Sequence, residues 1–247
     1  MPEITAAFWL VKLLTTGIGE TSSDYLVKSL DPVPVVLAAA VIFGVCFAVQ
    51  FTARRYVPWR YWLFVTMVAV LGTMVADVAH IVLFVPYEIS TIAFALAVAV
   101  LLSVWWLSER TISVHSITNA RRELFYWSVV LATFALGTAL GDLTAIDLGL
   151  GFFGSAVMFG ALFLLALVAQ RLPGAQVALF WVAYMLTRPW GASVADWIAV
   201  DRSRGGLAFG TGPVSIIGVV LIAAAVAALQ LRSRSGQLAR SRLVTSV

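Results

Sequence analysis

Apolar stretches close to the roughly 20 residues needed to span a bilayer recur along the whole chain, separated by short breaks rich in Pro, Gly or Arg. The pattern predicts helices over about 5–28, 33–53, 59–85, 89–107, 122–146, 151–170, 176–200 and 211–231. The expected fold class is all-α: a polytopic integral membrane protein of about eight transmembrane helices, with the lipid bilayer as its principal partner. The breaks leave no room for a separate globular domain. The first apolar segment opens at Ile4 without a basic region before it or a small-residue cleavage site after it, so it reads as a first span and not as a signal peptide.

Laid over the apolar pattern is an internal repeat. An aromatic-Trp pair is followed fifteen residues later by Asp in each odd-numbered helix: Phe8-Trp9 with Asp24, Tyr61-Trp62 with Asp77, Tyr126-Trp127 with Asp142, and Phe180-Trp181 with Asp196. Five residues before each Asp stands a glycine, at Gly19, Gly72, Gly137 and Gly191. Trp-to-Trp offsets of 53 and 54 within halves, and 118 and 119 between them, suggest two rounds of duplication. The expected organisation is a first half over 1–118 (repeats 1–58 and 59–118), a second half over 119–231 (repeats 119–175 and 176–231), and a basic tail over 232–247. Each repeat pairs a motif-bearing helix with a nearly featureless one.

Two-helix repeats keep their orientation, so all four Asp residues should lie on one side of the bilayer midplane. Arg54, Arg55 and Arg60 follow the second helix, Arg110, Arg121 and Arg122 the fourth, Arg171 the sixth, and Arg232, Arg234, Arg240 and Arg242 the eighth. The opposite loops carry Lys28, Arg202 and Arg204 against Asp31, Glu88, Asp147 and Asp201. The positive-inside rule then places both termini in the cytoplasm. The Trp residues are expected as interfacial anchors near that face, with the Asp residues roughly 22 Å further along their helices.

Composition agrees with a membrane chain: 62% of the 247 residues are hydrophobic and 11% charged, with a mean hydropathy of +0.99. The excess of Lys and Arg behind the net charge of +4 lies in short segments between and after spans, which fits membrane topology better than a nucleic-acid partner, and none is expected. The single cysteine, Cys46, lies in an apolar run, so neither an internal disulfide nor a thiolate metal cluster is expected.

Candidate chemistry lies in the polar residues inside the spans, which are costly in hydrocarbon and therefore face protein or water. In the first helix Lys12, Thr16, Glu20 and Asp24 recur every four residues and form one polar face. At the level of Glu20 the other copies have Thr73, Thr138 and Ala192, and Arg188, followed by Pro189, stands at the level of Thr16. Tyr184 matches Lys12 in position. Carboxylates with threonine hydroxyls are hard oxygen donors of the kind that suit protons or small cations, so Asp24, Asp77, Asp142 and Asp196 are candidate metal ligands. Glu20, Thr16, Thr73, Thr138 and His80, which follows Asp77 by three, would complete an ion path, with Lys12 and Arg188 as counter-charges. Competing readings are that each Asp bonds backbone amides or pairs with Lys12 and Arg188, that each Gly is a close helix contact, and that His80 is structural.

The strings Thr-Thr-Gly-Ile-Gly-Glu-Thr-Ser-Ser-Asp-Tyr-Leu at 15–26 and Tyr-Trp-Ser-Val-Val-Leu-Ala-Thr-Phe-Ala-Leu-Gly-Thr-Ala-Leu-Gly-Asp at 126–142 resemble a bacterial family of membrane-anchored repeat proteins of unknown function. The resemblance covers nearly the whole chain and implies a multi-pass protein of the bacterial inner membrane. A legacy description of that family as a predicted regulator of amylopullulanase has no counterpart in these residues.

No P-loop, dinucleotide fingerprint, H-E-x-x-H or G-x-S-x-G motif is present, so no cofactor and no enzymatic activity are expected. The leading expectation is a secondary transporter or exchanger of a small cation, a divalent metal or a proton-coupled ion. The alternatives are a non-transporting structural or regulatory membrane protein with internal ion pairs, and an anion transporter contacting its substrate through Arg188 and Lys12.

Overall fold

The computed structural model describes residues 2–53 and 56–244, with side chains described as far as Ser233. Among the described residues eight α-helices follow one another: α1 (Ala6–Ser29), α2 (Pro32–Phe51), α3 (Pro58–Asp77), α4 (Tyr87–Glu109), α5 (Ala120–Asp142), α6 (Gly151–Ala169), α7 (Gln176–Ala199) and α8 (Thr211–Val244). Among the described residues there is no strand. Local chemistry sets the starts. Thr5 Oγ1 accepts the amide of Phe8, Asp31 Oδ1 that of Val33 and Asn119 Oδ1 that of Arg122, while Pro32 and Pro58 open α2 and α3 where a missing N–H costs nothing. Two ends differ from expectation. Directly after Asp77 and Asp142 the helices widen into π-helical turns, Val78–Val82 and Leu143–Asp147, and α8 continues as helix well past 231 into the expected tail. Of the cations used to orient the chain, Arg54 and Arg55, and the side chains of Arg234, Arg240 and Arg242, lie outside the described residues.

The odd helices form a closed inner ring, α1 on α3, α3 on α5, α5 on α7 and α7 back on α1. The even helices sit outside it, each against the next odd helix in cyclic order: α2 on α3, α4 on α5, α6 on α7 and α8 on α1. One contact, repeated four times, makes the ring. The motif glycine of each odd helix receives the residue three positions earlier in the following repeat: Ala69 packs on Gly19, Phe134 on Gly72, Arg188 on Gly137 and Thr16 on Gly191. A Cβ at any of these glycines would overlap its neighbour, which is how helices without a hydrophobic drive between them come close in a membrane.

The aromatic-Trp pairs close the same ring at its other end. Phe8 meets Trp62 at 5.7 Å between centroids, Tyr61 meets Trp127 at 5.5 Å, Tyr126 meets Trp181 at 6.2 Å, and Phe180 meets Trp9 at 5.8 Å. Each aromatic reaches the Trp of the next repeat. The expectation of interfacial Trp anchors is corrected here: Trp62, Trp127 and Trp181 are 1%, 3% and 2% exposed and act as the mortar of the seams. The seams α3–α5 and α7–α1, which join the two sequence halves, use the same contacts as those within each half. The four seams of the ring are thus built alike.

Among the described residues six helices, all except α1 and α7, are long and apolar enough to cross a membrane. The outer helices α2, α4 and α8 present exposed Val, Leu and Ile over most of their length, a surface matched to lipid and not to water. α1 and α7 are each 24 residues long, and their lower hydropathy comes from polar side chains that the ring buries.

Candidate functional site: a polar axis through the ring

From its aromatic residue onward, each inner helix directs every fourth side chain into the ring, so the four copies stack in five layers. Phe8, Tyr61, Tyr126 and Phe180 form the first; Lys12, Val65, Val130 and Tyr184 the second; Thr16, Ala69, Phe134 and Arg188 the third; Glu20, Thr73, Thr138 and Ala192 the fourth. The four Asp residues form the fifth. All members of the first four layers are buried. The polar face expected for helix 1 is thus one wall of an axis lined by all four repeats.

Arg188 occupies the middle of that axis, 1% exposed. Its Nη2 donates to Glu20 Oε2 at 3.0 Å, to Thr138 Oγ1 at 2.8 Å and to Thr73 Oγ1; Nη1 donates to the Thr16 carbonyl at 2.6 Å and Nε to the Phe134 carbonyl at 3.4 Å. One side chain therefore ties α7 to α1, α3 and α5. Thr16 Oγ1 in turn donates to the Thr187 carbonyl at 3.2 Å, beside Pro189. Arg188 thus meets Glu20, Thr16, Thr73 and Thr138 in one cluster.

Lys12 behaves differently. It is 1% exposed, and its Nζ lies 4.0 Å from the Phe134 ring centroid and 4.2 Å from that of Tyr184. The ion pairs of the described residues do not include it. Its charge is met by ring faces, one layer away from Arg188.

Beyond Glu20 the axis opens into a cavity of about 190 Å³ lined by Glu20, Asp24, Asp77, Asp142, Asp196, His80, Tyr87, Lys28 and Arg204, among others. The Asp residues of all four repeats share it, each with different company. Ser23 donates to Asp77 Oδ2 at 2.7 Å, Lys28 holds Asp24 at 2.5 Å, and His80 Nδ1 stands 4.0 Å from Asp142 Oδ2 while its Nε2 is 2.6 Å from Ser90 Oγ. Asp196 is 6% exposed, and its Oδ1 is buried with no hydrogen-bond partner in the protein. The π turn after Asp77 carries His80 to the seam with α5. Although Asp24, Asp77, Asp142 and Asp196 share the cavity, no group of three His, Cys, Asp or Glu among the described residues is placed to hold a metal ion.

The opposite end brings together tyrosine hydroxyls that stand outside the candidate path read from the sequence. Tyr61 and Tyr126 hydroxyls are 2.7 Å apart, and Tyr126 and Tyr184 hydroxyls 3.5 Å apart. Tyr61 also lines a second cavity, of about 280 Å³, with Tyr56, Gln50, Asn119 and Glu123. Glu123 Oε1 accepts from Gln50 Nε2 at 2.9 Å, and burial pushes the phenol of Tyr56, in the loop before α3, up to about 12, so it remains a donor there. The available signal was the same four-residue spacing, extended one step back from Lys12, with Tyr in place of Phe in the second and third copies.

A family model described as Repeat of Unknown Function (DUF347) matches four successive segments, residues 7–56, 60–111, 125–175 and 179–235. Each segment holds one inner and one outer helix. No curated protein and no solved structure matches the chain.

Proposed function

The chain belongs to this repeat family, and on that premise we propose that it is a secondary transporter or exchanger of a small cation, coupled to protons, that crosses the bacterial inner membrane eight times with both termini in the cytoplasm. The observation that carries the reading is the single cavity shared by five carboxylates from the inner ring, one of them with an oxygen buried and unpartnered. Intramembrane carboxylates gathered at one wet cavity are the usual equipment of ion and proton pathways.

Supporting the eight spans, α1 and α7 have the length of their neighbours and stand in the ring that the apolar outer helices enclose. Supporting the orientation, Arg60, Arg110, Arg121, Arg122, Arg171 and Arg232 lie at the Trp end, opposite the carboxylate cavity. The cavity would then face outward, and the Arg188–Glu20 cluster would be the closed gate beneath it. Proteoliposomes bearing a pH-sensitive dye, challenged with Na⁺, K⁺, NH₄⁺, Mg²⁺ and Mn²⁺ gradients, test this. Wild-type flux that disappears in Asp24→Asn and Asp142→Asn supports it, and flux indifferent to both defeats it.

A second reading, a non-transporting structural or regulatory module, is favoured by one observation: every nitrogen of Arg188 is engaged. It requires the Asn variants to lose thermal stability and no gradient-driven activity.

A further inference from the structure

Two cavities lie at opposite ends of one axis, and the groups between them divide into two kinds. On the outward side stand carboxylates and threonines, closed off by Arg188. On the other stand Lys12 and three tyrosine hydroxyls, a set that the carboxylate site does not use. We propose that Lys12, Tyr184, Tyr126 and Tyr61 form the inner half of a proton path joining the carboxylate cavity to the Tyr61 cavity, and that this half passes protons but no metal ion. The inference rests on the transport reading above.

Selectivity follows from charge. A metal ion leaving Glu20 for the Tyr61 cavity must pass two successive layers, each holding a buried cation, Arg188 and then Lys12, and among the described residues no carboxylate pairs with Lys12 to offset the repulsion. A proton does not face the same obstacle, because an ammonium can give up a proton and take another whereas a guanidinium cannot. Of the two buried cations in these layers, Lys12 is thus the one able to carry the charge by exchange. Facing it are Phe134 of α5 and Tyr184 of α7, with Arg188 the charged group that acts on it and apolar Val65 and Val130 at its own level.

The steps balance without any other reagent. Lys12 Nζ lies over the Tyr184 ring, 4.2 Å from its centroid, and must swing to the ring edge to give its proton to the Tyr184 oxygen. As it does so, that phenol passes its own to Tyr126, and Tyr126 passes its own to Tyr61, across hydroxyl separations of 3.5 and 2.7 Å. Tyr61 releases a proton into the cavity that contains Glu123. Each phenol ends with the same number of protons, and rotation of the hydroxyls resets the chain. The neutral amine is recharged from the carboxylate side, which requires Arg188 to swing out of the layer that separates Glu20 from Lys12; that movement is the gate.

Full-length protein in proteoliposomes with an internal pH dye, under an imposed proton gradient, tests the path. Lys12→Gln and Lys12→Arg are each expected to lower the initial proton flux at least about tenfold, and Tyr126→Phe by several-fold. Tyr126→Phe keeps the ring contact with Trp181 and gives up only the hydroxyl contacts, so it is expected to fold with a modest drop in thermal midpoint; where a Lys12 variant fails to fold, Tyr126→Phe and Tyr184→Phe decide. Wild-type flux in both Phe variants, with flux lost in Asp142→Asn, overturns the inner path and leaves the transport reading standing. Wild-type flux in Asp142→Asn as well, or no flux in the wild type, removes both.

Discussion

Arg188 Nη2 and Glu20 Oε2 lie 3.0 Å apart at the centre of the helix ring, joining the fourth repeat to the first. Both side chains are almost fully buried, so neither charge has water to fall back on. Removing one partner leaves the other uncompensated, which typically costs about 3–5 kcal/mol, whereas replacing both by apolar groups is often close to neutral. Arg188→Met is therefore expected to lower the thermal midpoint in detergent sharply, and the double variant Arg188→Met with Glu20→Met to recover most of the loss. Equal midpoints for the wild type and Arg188→Met would show that the pair does not hold the ring together.

The glycine seams make a sharper test of the architecture. At Gly137 an added Cβ would fall on Arg188 Cβ and Cγ, and at Gly191 on Thr16, whereas at Gly44 nothing lies within 4 Å. Gly137→Ala and Gly191→Ala should reduce the yield of monodisperse protein severely. Gly44→Ala, in the middle of α2, should be neutral or stabilise by up to about 1 kcal/mol through helix propensity. Three variants with the same yield and midpoint would contradict the seam contacts.

Trp62 and Trp59 separate packing from anchoring. Trp62 is 1% exposed in the α1–α3 seam; Trp59, three residues earlier, is 44% exposed. Trp62→Ala should cost about 3–5 kcal/mol, as large core truncations do, and Trp59→Ala well under about 1 kcal/mol. The order of the two thermal midpoints checks this, and the reverse order would restore the interfacial reading.

At the cavity, His80 Nδ1 faces Asp142 Oδ2 across 4.0 Å, beyond hydrogen-bond reach. His80→Gln should lower cation flux by no more than several-fold, because Asp142 keeps its place in the cavity without the ring. A loss as deep as that of Asp142→Asn would make His80 a principal member of the path.

Much of the ring was legible in the chain before its structure. The Trp, Gly and Asp spacing marked four equivalent helices, and the four-residue series from Lys12 to Asp24 marked the wall of an axis. What could not be read was which helix met which. The contact of Ala69 with Gly19, or Thr16 with Gly191, depends on the cyclic order, and an identical repeat permits an open row as well as a closed ring. The Trp residues were misassigned for a related reason. An indole near a helix start is amphipathic enough for an interface, and only the aromatic of the neighbouring repeat withdraws it from lipid. Asp77 and Asp142 gave no sign of the π turns behind them, since one extra residue in a helical turn leaves the apolar pattern almost unchanged. The tyrosine line escaped because its hydroxyls come from three different repeats and converge only once the ring is closed.

The unpartnered Oδ1 of Asp196 gives the most direct test of the whole account. A carboxylate that serves only to hold helices together would weaken the protein when made neutral, and one that serves an ion would not. Asp196→Asn, reconstituted at matched density beside the wild type, should keep or raise the thermal midpoint and lose at least about tenfold in gradient-driven cation flux. Undiminished flux in Asp196→Asn, or a fall in stability with no wild-type flux to lose, would contradict the claim that the shared carboxylate cavity carries an ion.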